Sequence, residues 1–330
     1  MNLPNHISRV AAATTDLDDH LGSGVSRRSI AARVRSGQWK RVGRRGVVTS
    51  QTMQSWFPHE RHLATVLAAH RDARSPPVFS HFSAAAILGL PMWKLRDIRA
   101  HTVSTSSHTQ GRTVVRHEFP IGAGDVIEVA GLRCTGPDRT LFDLSAIAHE
   151  DLVLGCADAR LRALANFDRR IDLSASDDWR DRMRARADAA PGSRGVKLFR
   201  RVIALADARA ESVLESVSRL RFTQLGIEVE PQFAVQSPTG GHYFVDFRLI
   251  GHSVLGECDG AQKYLDPQLR GDRSPGEVVL REKRRDDWIT GHTQSRFIHW
   301  GAREADTPTT FGTMLNQYGV PIPLRKRSRV

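Results

Sequence analysis

The chain has 330 residues, 40% hydrophobic and 25% charged, a composition that excludes disordered, collagenous and membrane-embedded classes. Lys and Arg outnumber Asp and Glu by 48 to 36, a net charge of +12. The surface therefore favours anions, and nucleic acid ranks ahead of anionic membrane because no amphipathic basic helix with a bulky apolar face stands out. No apolar run approaches roughly 18 residues, and Asp16, Asp18 and Asp19 close behind Ala11 to Ala13 leave no signal-peptide core. Cys134, Cys156 and Cys258 show neither disulfide nor zinc spacing, so the expectation is a cytoplasmic, non-membrane protein.

At about 100 to 200 residues per domain, the length predicts two or three domains. The first is placed at 1–57. Ser26 caps a helix through Ile30, Ala31 and Val34 that Gly37 stops, and Trp39, Val42, Val47 and Val48 with Gly43 and Gly46 make a tight hairpin. Arg27, Arg28, Arg33, Arg35, Lys40, Arg41, Arg44 and Arg45 fall here with no acidic residue among them. A solvated basic face is the plainer reading of any charge run. A basic helix followed by a basic glycine turn is also the layout of a winged helix-turn-helix, with the helix in the major groove and the wing on the backbone. Arg27, Arg28, Arg33, Lys40, Arg41, Arg44 and Arg45 are its candidate DNA contacts.

Val25-Ser26-Arg27-Arg28, Gly37-Gln38-Trp39-Lys40-Arg41, Arg45-Gly46-Val47 and the run from Ser80 to Pro91 resemble the N-terminal half of AbiEi-type antitoxins of type IV toxin–antitoxin systems. The resemblance covers about the first 140 positions. It implies a DNA-binding winged helix and a cognate toxin or other protein as partner, and brings no catalytic residue.

An α+β middle region is placed at 58–205. Helices are predicted over Glu60–His70 and Ser83–Leu88, strands over Ile98–Val103 and Thr113–Phe119, and a helix opens at Pro137, near N1. His81, His101, His108 and His117 occupy no ligand spacing and are read as packing or solvated residues. Asp177 to Arg201 is an arginine-rich helical linker, broken at Pro191-Gly192-Ser193.

The last domain, 206–322, reads helix (Glu211–Phe222), strand (Ile227–Val235), hairpin, helix (Glu277–Thr290) and strand (Phe297–Trp300), before a basic tail at 323–330. If Ile250 pairs with Ser253 across Gly251-His252, a turn that Gly in first place favours, Asp246 stands opposite Glu257 and Phe244 opposite Asp259. Alternation then sets Asp246, Glu257 and Asp259 on one open face and Val245, Phe247, Leu249, Val254 and Cys258 on a packed one. Crowded carboxylates call for a cation or a proton, and oxygen ligands suit Mg²⁺ or Mn²⁺; a solvated hairpin face that is merely acidic accounts for the spacing equally well.

Glu215-Ser216-Val217-Ser218-Arg219, Val245-Asp246-Phe247, Gly256-Glu257-Cys258-Asp259-Gly260, Lys263-Tyr264 and Glu282-Lys283-Arg284-Arg285-Asp286 together are similar to the very-short-patch-repair-like branch of the PD-(D/E)XK nuclease superfamily. The resemblance implies a restriction-endonuclease-like α/β core with a mixed sheet, within a multi-domain α/β protein. It also implies Asp246 as the central Mg²⁺ or Mn²⁺ ligand, Glu257 as the second, and Glu215 reaching in from the helix, with Glu211 as its standby. Asp259 stands where that pattern has lysine and joins the metal candidates. Lys263 is the preferred substitute cation for phosphodiester hydrolysis, ahead of Lys283. Lys283 and Arg285, with Gln262 and Tyr264, are further candidate phosphate contacts. The rival expectation is a non-enzymatic DNA-binding regulator on a degenerate nuclease fold.

Overall fold

The computed structural model describes residues 3–104, 109–259 and 275–323. The chain divides into two compact units, 1–164 with 172–206 and 165–171 with 207–330, each mixing helices with sheets. No described helix is long and apolar enough to cross a membrane.

The first unit opens with α1 (Leu3–Ala13), β1 (Thr15–Asp16), α2 (Leu17–Gly22), α3 (Arg27–Arg35), β2 (Trp39–Val42) and β3 (Gly46–Thr49). Ser26 Oγ accepts the Ser29 N–H at 3.1 Å, which starts α3, and Ile30 anchors the helix in the core. The strands form one sheet in the order β1-β3-β2. Gly43 is required in the β2–β3 turn: its φ is +68°, and a Cβ would stand 2.6 Å from that of Ala68. After α4 (Ser50–Ser55), Ala68 belongs to α5 (Pro58–Asp72), which also packs on α1. Residues 1–57 thus share a core with α5.

Next come α6 (His81–Ile87), β4 (Ala100–Ser104), β5 (Thr109–Gln110), β6 (Val114–Glu118), β7 (Val126–Val129) and β8 (Leu132–Thr135). β4 and β6 run parallel, with His101 beside Val115 and Val103 beside His117. Phe79 bridges to Thr102 of β4 and Cys134 of β8, and this places α6 over β4. Four helices complete the unit: α7 (Pro137–Ser145), α8 (Glu150–Ala165), α9 (Leu173–Asp188) and α10 (Val196–Leu205). The Pro191-Gly192-Ser193 break is not a linker between domains. It joins α9 to α10 inside one unit, where Gly195, at φ +84°, leaves only 2.2 Å between a Cβ and the Ser145 carbonyl oxygen. Trp179, Met183, Phe199 and Val202 bury the inner faces of these two helices.

Asp143 of α7 is buried; Oδ1 accepts from Arg139 Nε at 2.8 Å, and Oδ2 meets no hydrogen-bond partner among the described residues. Burial pushes its carboxyl up to about 6, against the pull of Arg139. The folded pKa lies above the unfolded value of about 3.9. The protonated form's contribution to stability is therefore complete below about pH 4 and lost as pH rises through about 6. Asp143→Asn is expected to flatten the dependence of unfolding free energy on pH across that window. A slope equal to wild type in urea titrations would show that Arg139 keeps Asp143 ionised.

In the second unit a short hairpin, β9 (Asn166–Phe167) with β10 (Arg170–Ile171), accompanies α11 (Val213–Leu225), β11 (Val229–Gln236), β12 (His242–Leu249), β13 (Val254–Cys258), α12 (Pro275–Thr293), β14 (Arg296–Trp300) and α13 (Pro308–Gln317). The main sheet has the order β11-β12-β13-β14, antiparallel except for β14, which runs parallel to β13. On one face Phe222 of α11 meets the rings of Phe247, Trp300 and Phe311 within 5.7 Å. On the other, Val235, Val245, Leu255 and Ile289 form a cluster with Phe233, Tyr243 and Phe297 packed against it.

The β12–β13 register is the expected one, Leu249 with Val254 through Phe247 with Gly256. The expected faces are not found. Simple alternation puts Val245 and Phe247 together, yet Val245 joins the Ile289 cluster while Phe247 stacks on Trp300. The alternation breaks at Asp246, opposite which Gln232 adopts φ +54° between the Pro231–Phe247 and Phe233–Val245 pairs. Both faces of the hairpin are covered by packed side chains, so no open acidic face exists there.

Gly256 lets Trp300 lie flat on the sheet, since a Cβ would stand 2.4 Å from its Cη2. The indole cannot swing away freely because Nε1 donates to Ser218 Oγ at 2.7 Å. Gly256→Ala is expected to lose about 1–3 kcal/mol by overpacking, read as a lower denaturant midpoint. An unchanged midpoint would refute this close approach.

Candidate functional site

Ser212 caps α11 by accepting the Glu215 N–H at 3.2 Å. This fixes Glu215 in the first turn, buried. Its Oε2 accepts from the Glu211 N–H at 2.9 Å and from Gln232 Nε2 at 3.0 Å. Burial, and after it the charge of Asp246, pushes Glu215 up to about 7. Asp246 Oδ2 accepts from the Cys258 N–H at 2.8 Å. The two carboxylates thus share one electrostatic neighbourhood.

The other predicted acids turn elsewhere. Glu257 is buried, and its Oε1 accepts from Arg285 Nη2 at 2.8 Å. Arg285 also donates to the Phe244 carbonyl and pairs with Asp286 at 3.0 Å, so this expected phosphate contact is held within the protein. Asp259 is exposed, 3.4 Å from His299 Nδ1. Glu211 precedes α11 instead of lying on it and pairs with Arg169 at 2.8 Å. Lys283 is exposed on α12; Lys263, Gln262 and Tyr264 lie outside the described residues. Glu215, buried, and Asp246, half-buried, fit a divalent cation, since the charge of Asp246 acts on Glu215 and a cation would relieve it. Glu257 and Asp259 do not converge on them.

In the same unit, Arg169, Arg281, Arg284 and Arg285 with His242, Tyr243 and Phe244 line a cavity of about 660 Å³. Arg169 lies 4.4 Å over the Phe244 ring. Guanidinium groups and aromatic faces around one opening suit a phosphate-bearing chain.

In the first unit every predicted basic contact, Arg27, Arg28, Arg33, Lys40, Arg41, Arg44 and Arg45, is exposed on α3 or the β2–β3 hairpin. Arg33 lies 4.8 Å over Trp39, which ties helix and hairpin together. Among the described residues only Arg45 of this set pairs its side chain with a carboxylate, Asp18 at 3.7 Å, while the Arg44 backbone N–H donates to Asp72 Oδ2 at 2.8 Å.

Sequence spacing passes over one constellation. His81, His101 and His117 are buried, and one ligand atom from each lies within 4.8 Å of the others, the only such group of metal-ligating residues among those described. The three can hold a metal ion. Burial pushes His101 down to about 3, so its imidazole is neutral at physiological pH, the form that binds metals. The available signal is strand alternation, which places His101 with Val103 and Val115 with His117 on one face. Their meeting depends on the parallel pairing of β4 with β6. His108 lies outside the described residues.

No protein-family model and no curated protein sequence matches this chain.

Proposed function

We propose that this chain binds duplex DNA through its first unit and carries a metal-dependent phosphodiesterase centre in its second. The observation that carries the reading is the exposed basic surface of α3 and the β2–β3 hairpin, almost free of carboxylate partners. The succession of helix, strand, two helices and a hairpin, closed by β1 into a three-stranded sheet, supports a winged helix-turn-helix. In such a module α3 enters the major groove and the hairpin touches phosphates.

For the second unit, support comes from a helix bearing Glu215, a strand bearing Asp246 and a mixed sheet closed by a parallel strand. This agrees with the likeness to PD-(D/E)XK nucleases. Mg²⁺ or Mn²⁺ held by Glu215 and Asp246 would polarise a phosphoryl oxygen and activate water; two carboxylates with substrate phosphates are a usual Mg²⁺ environment. Arg281 and Arg284 orient the phosphate chain along the cavity, and Arg169 is held on its rim by Glu211 and Gln232. Arg285 holds Glu257 in place from α12.

A specific observation favours a second reading, in which the protein binds DNA without cutting it. The Glu257–Arg285 bond neutralises the carboxylate that the nuclease pattern uses as a ligand. The test is incubation of the full chain with supercoiled, nicked and single-stranded DNA at millimolar Mg²⁺ or Mn²⁺. Cleavage that chelator abolishes supports the first reading. Retarded but intact DNA selects the second, and absence of binding at low salt refutes both.

A further inference from the structure

We infer that His81, His101 and His117 form a three-histidine site in the first unit for a late first-row divalent cation of the zinc class, with Asp97 as the carboxylate beside His101. The three rings come from separate segments, the start of α6, β4 and β6, so one ion would tie the helix to both strands. His81 stacks on His117 with ring centroids 3.9 Å apart, and His101 Nδ1 lies 2.8 Å from His117 Nε2. These two nitrogens share a single proton as they stand. A cation between them would replace that proton and draw a lone pair from each.

The nitrogens that face away from the centre suit this assignment. His81 Nδ1 meets Ser80 Oγ at 3.0 Å. With His101 bound through Nδ1, its Nε2 lies 3.4 Å from Asp97 Oδ2. That Nε2 is buried without a hydrogen bond among the described residues. Metal-bound histidines usually donate their second N–H to a carboxylate, and Arg99 holds Asp97 in position through bonds of 2.9 and 3.2 Å from Nε. His81 also sits at φ +50°, a conformation that a non-glycine residue adopts at a cost and that clusters at functional sites.

Donor chemistry selects the ion. Three imidazoles suit Zn²⁺, Co²⁺, Ni²⁺ or Cu²⁺ and leave Mg²⁺ poorly served, because Mg²⁺ demands oxygen ligands. This separates the site from the Glu215–Asp246 pair. Three protein ligands leave a fourth position for water, and the edge of Phe82 against His101, at 5.2 Å, supplies part of an apolar surround.

The test uses the full chain after chelation, titrated with Zn²⁺, with Mg²⁺, and with Co²⁺ as an absorbing probe. One equivalent of Zn²⁺ should bind and raise the thermal midpoint. Co²⁺ should show visible bands of a low-coordinate nitrogen site that Zn²⁺ displaces, and Mg²⁺ should do neither. His117→Gln should abolish both signals, and Asp246→Asn should leave both intact. Should His117→Gln fail to fold, Asp97→Asn decides, because it removes no ligand: Zn²⁺ affinity is expected to fall about 10–100-fold. A wild-type protein without Zn²⁺-dependent stabilisation, a folded His117→Gln that binds Zn²⁺ as tightly, or an Asp97→Asn of unchanged affinity overturns the inference.

Discussion

Replacing Arg28 and Arg44 together by Glu in the full chain is expected to weaken duplex-DNA binding on the order of a hundredfold at about 0.1 M salt. Each phosphate contact contributes about −0.9 to the slope of log affinity against log salt, close to one decade at that concentration, and reversal adds repulsion. The slope itself should fall by about 2. Both residues are exposed, on α3 and in the β2–β3 turn, and neither side chain meets a carboxylate among the described residues. The loss therefore reports a missing contact with DNA instead of a damaged fold, which an unchanged thermal midpoint would verify. The full chain is the right material because residues 1–57 share their core with α5. Equal affinity and slope for wild type and variant would end the winged-helix reading. Affinity lost uniformly across DNA sequences would assign both residues to phosphates, while loss confined to one sequence would place Arg28 on a base edge.

The elements that could be read directly are those decided by neighbours in the chain. Ser26 and Gly37 bound α3 because a hydroxyl cap and a residue tolerant of positive φ act within one turn. Gly251 sets the β12–β13 register because turn geometry fixes which residues face each other. Pairings between distant segments could not be read. Val245 and Phe247 lie on different faces of the sheet, so alternation along Val245, Asp246 and Phe247 misleads. The Pro191-Gly192-Ser193 break has a linker's composition, and only the approach of Gly195 to Ser145 reveals a packed corner.

The acids divide in the same way. Glu215 lies at a capped helix start that Ser212 makes visible, and its neighbourhood with Asp246 needs only α11 and one strand. Glu257 is drawn to Arg285, 28 residues further on, a partner that no local pattern reveals. The histidines are the extreme case. His101 and His117 are separated by 16 positions, and β5 intervenes between their strands. A parallel pair needs a crossover rather than a tight turn, so no turn signal announces that they meet.

Asp246→Asn is expected to remove metal-dependent cleavage, by roughly a thousandfold or more, since a bound ion supplies several kcal/mol of transition-state stabilisation and each 1.36 kcal/mol corresponds to about tenfold in rate. The substitution keeps size and hydrogen bonding: the amide oxygen can still accept from the Cys258 N–H, which Asp246 now does at 2.8 Å. What it deletes is charge. Glu215, raised to about 7 by burial and by Asp246, loses its repelling neighbour, so the metal-free variant should be at least as stable as wild type. Stabilisation by Mg²⁺ or Mn²⁺ should vanish, because only a ligand that binds the folded state raises its apparent stability. DNA affinity should persist, because the proposed DNA contacts lie in the first unit. If wild type cuts and the variant cuts at the same rate, Asp246 holds no catalytic ion and the nuclease reading fails. If wild type binds DNA but neither cuts nor gains stability from these cations, the Glu257–Arg285 bond is the mark of a regulator that kept the fold and discarded the chemistry.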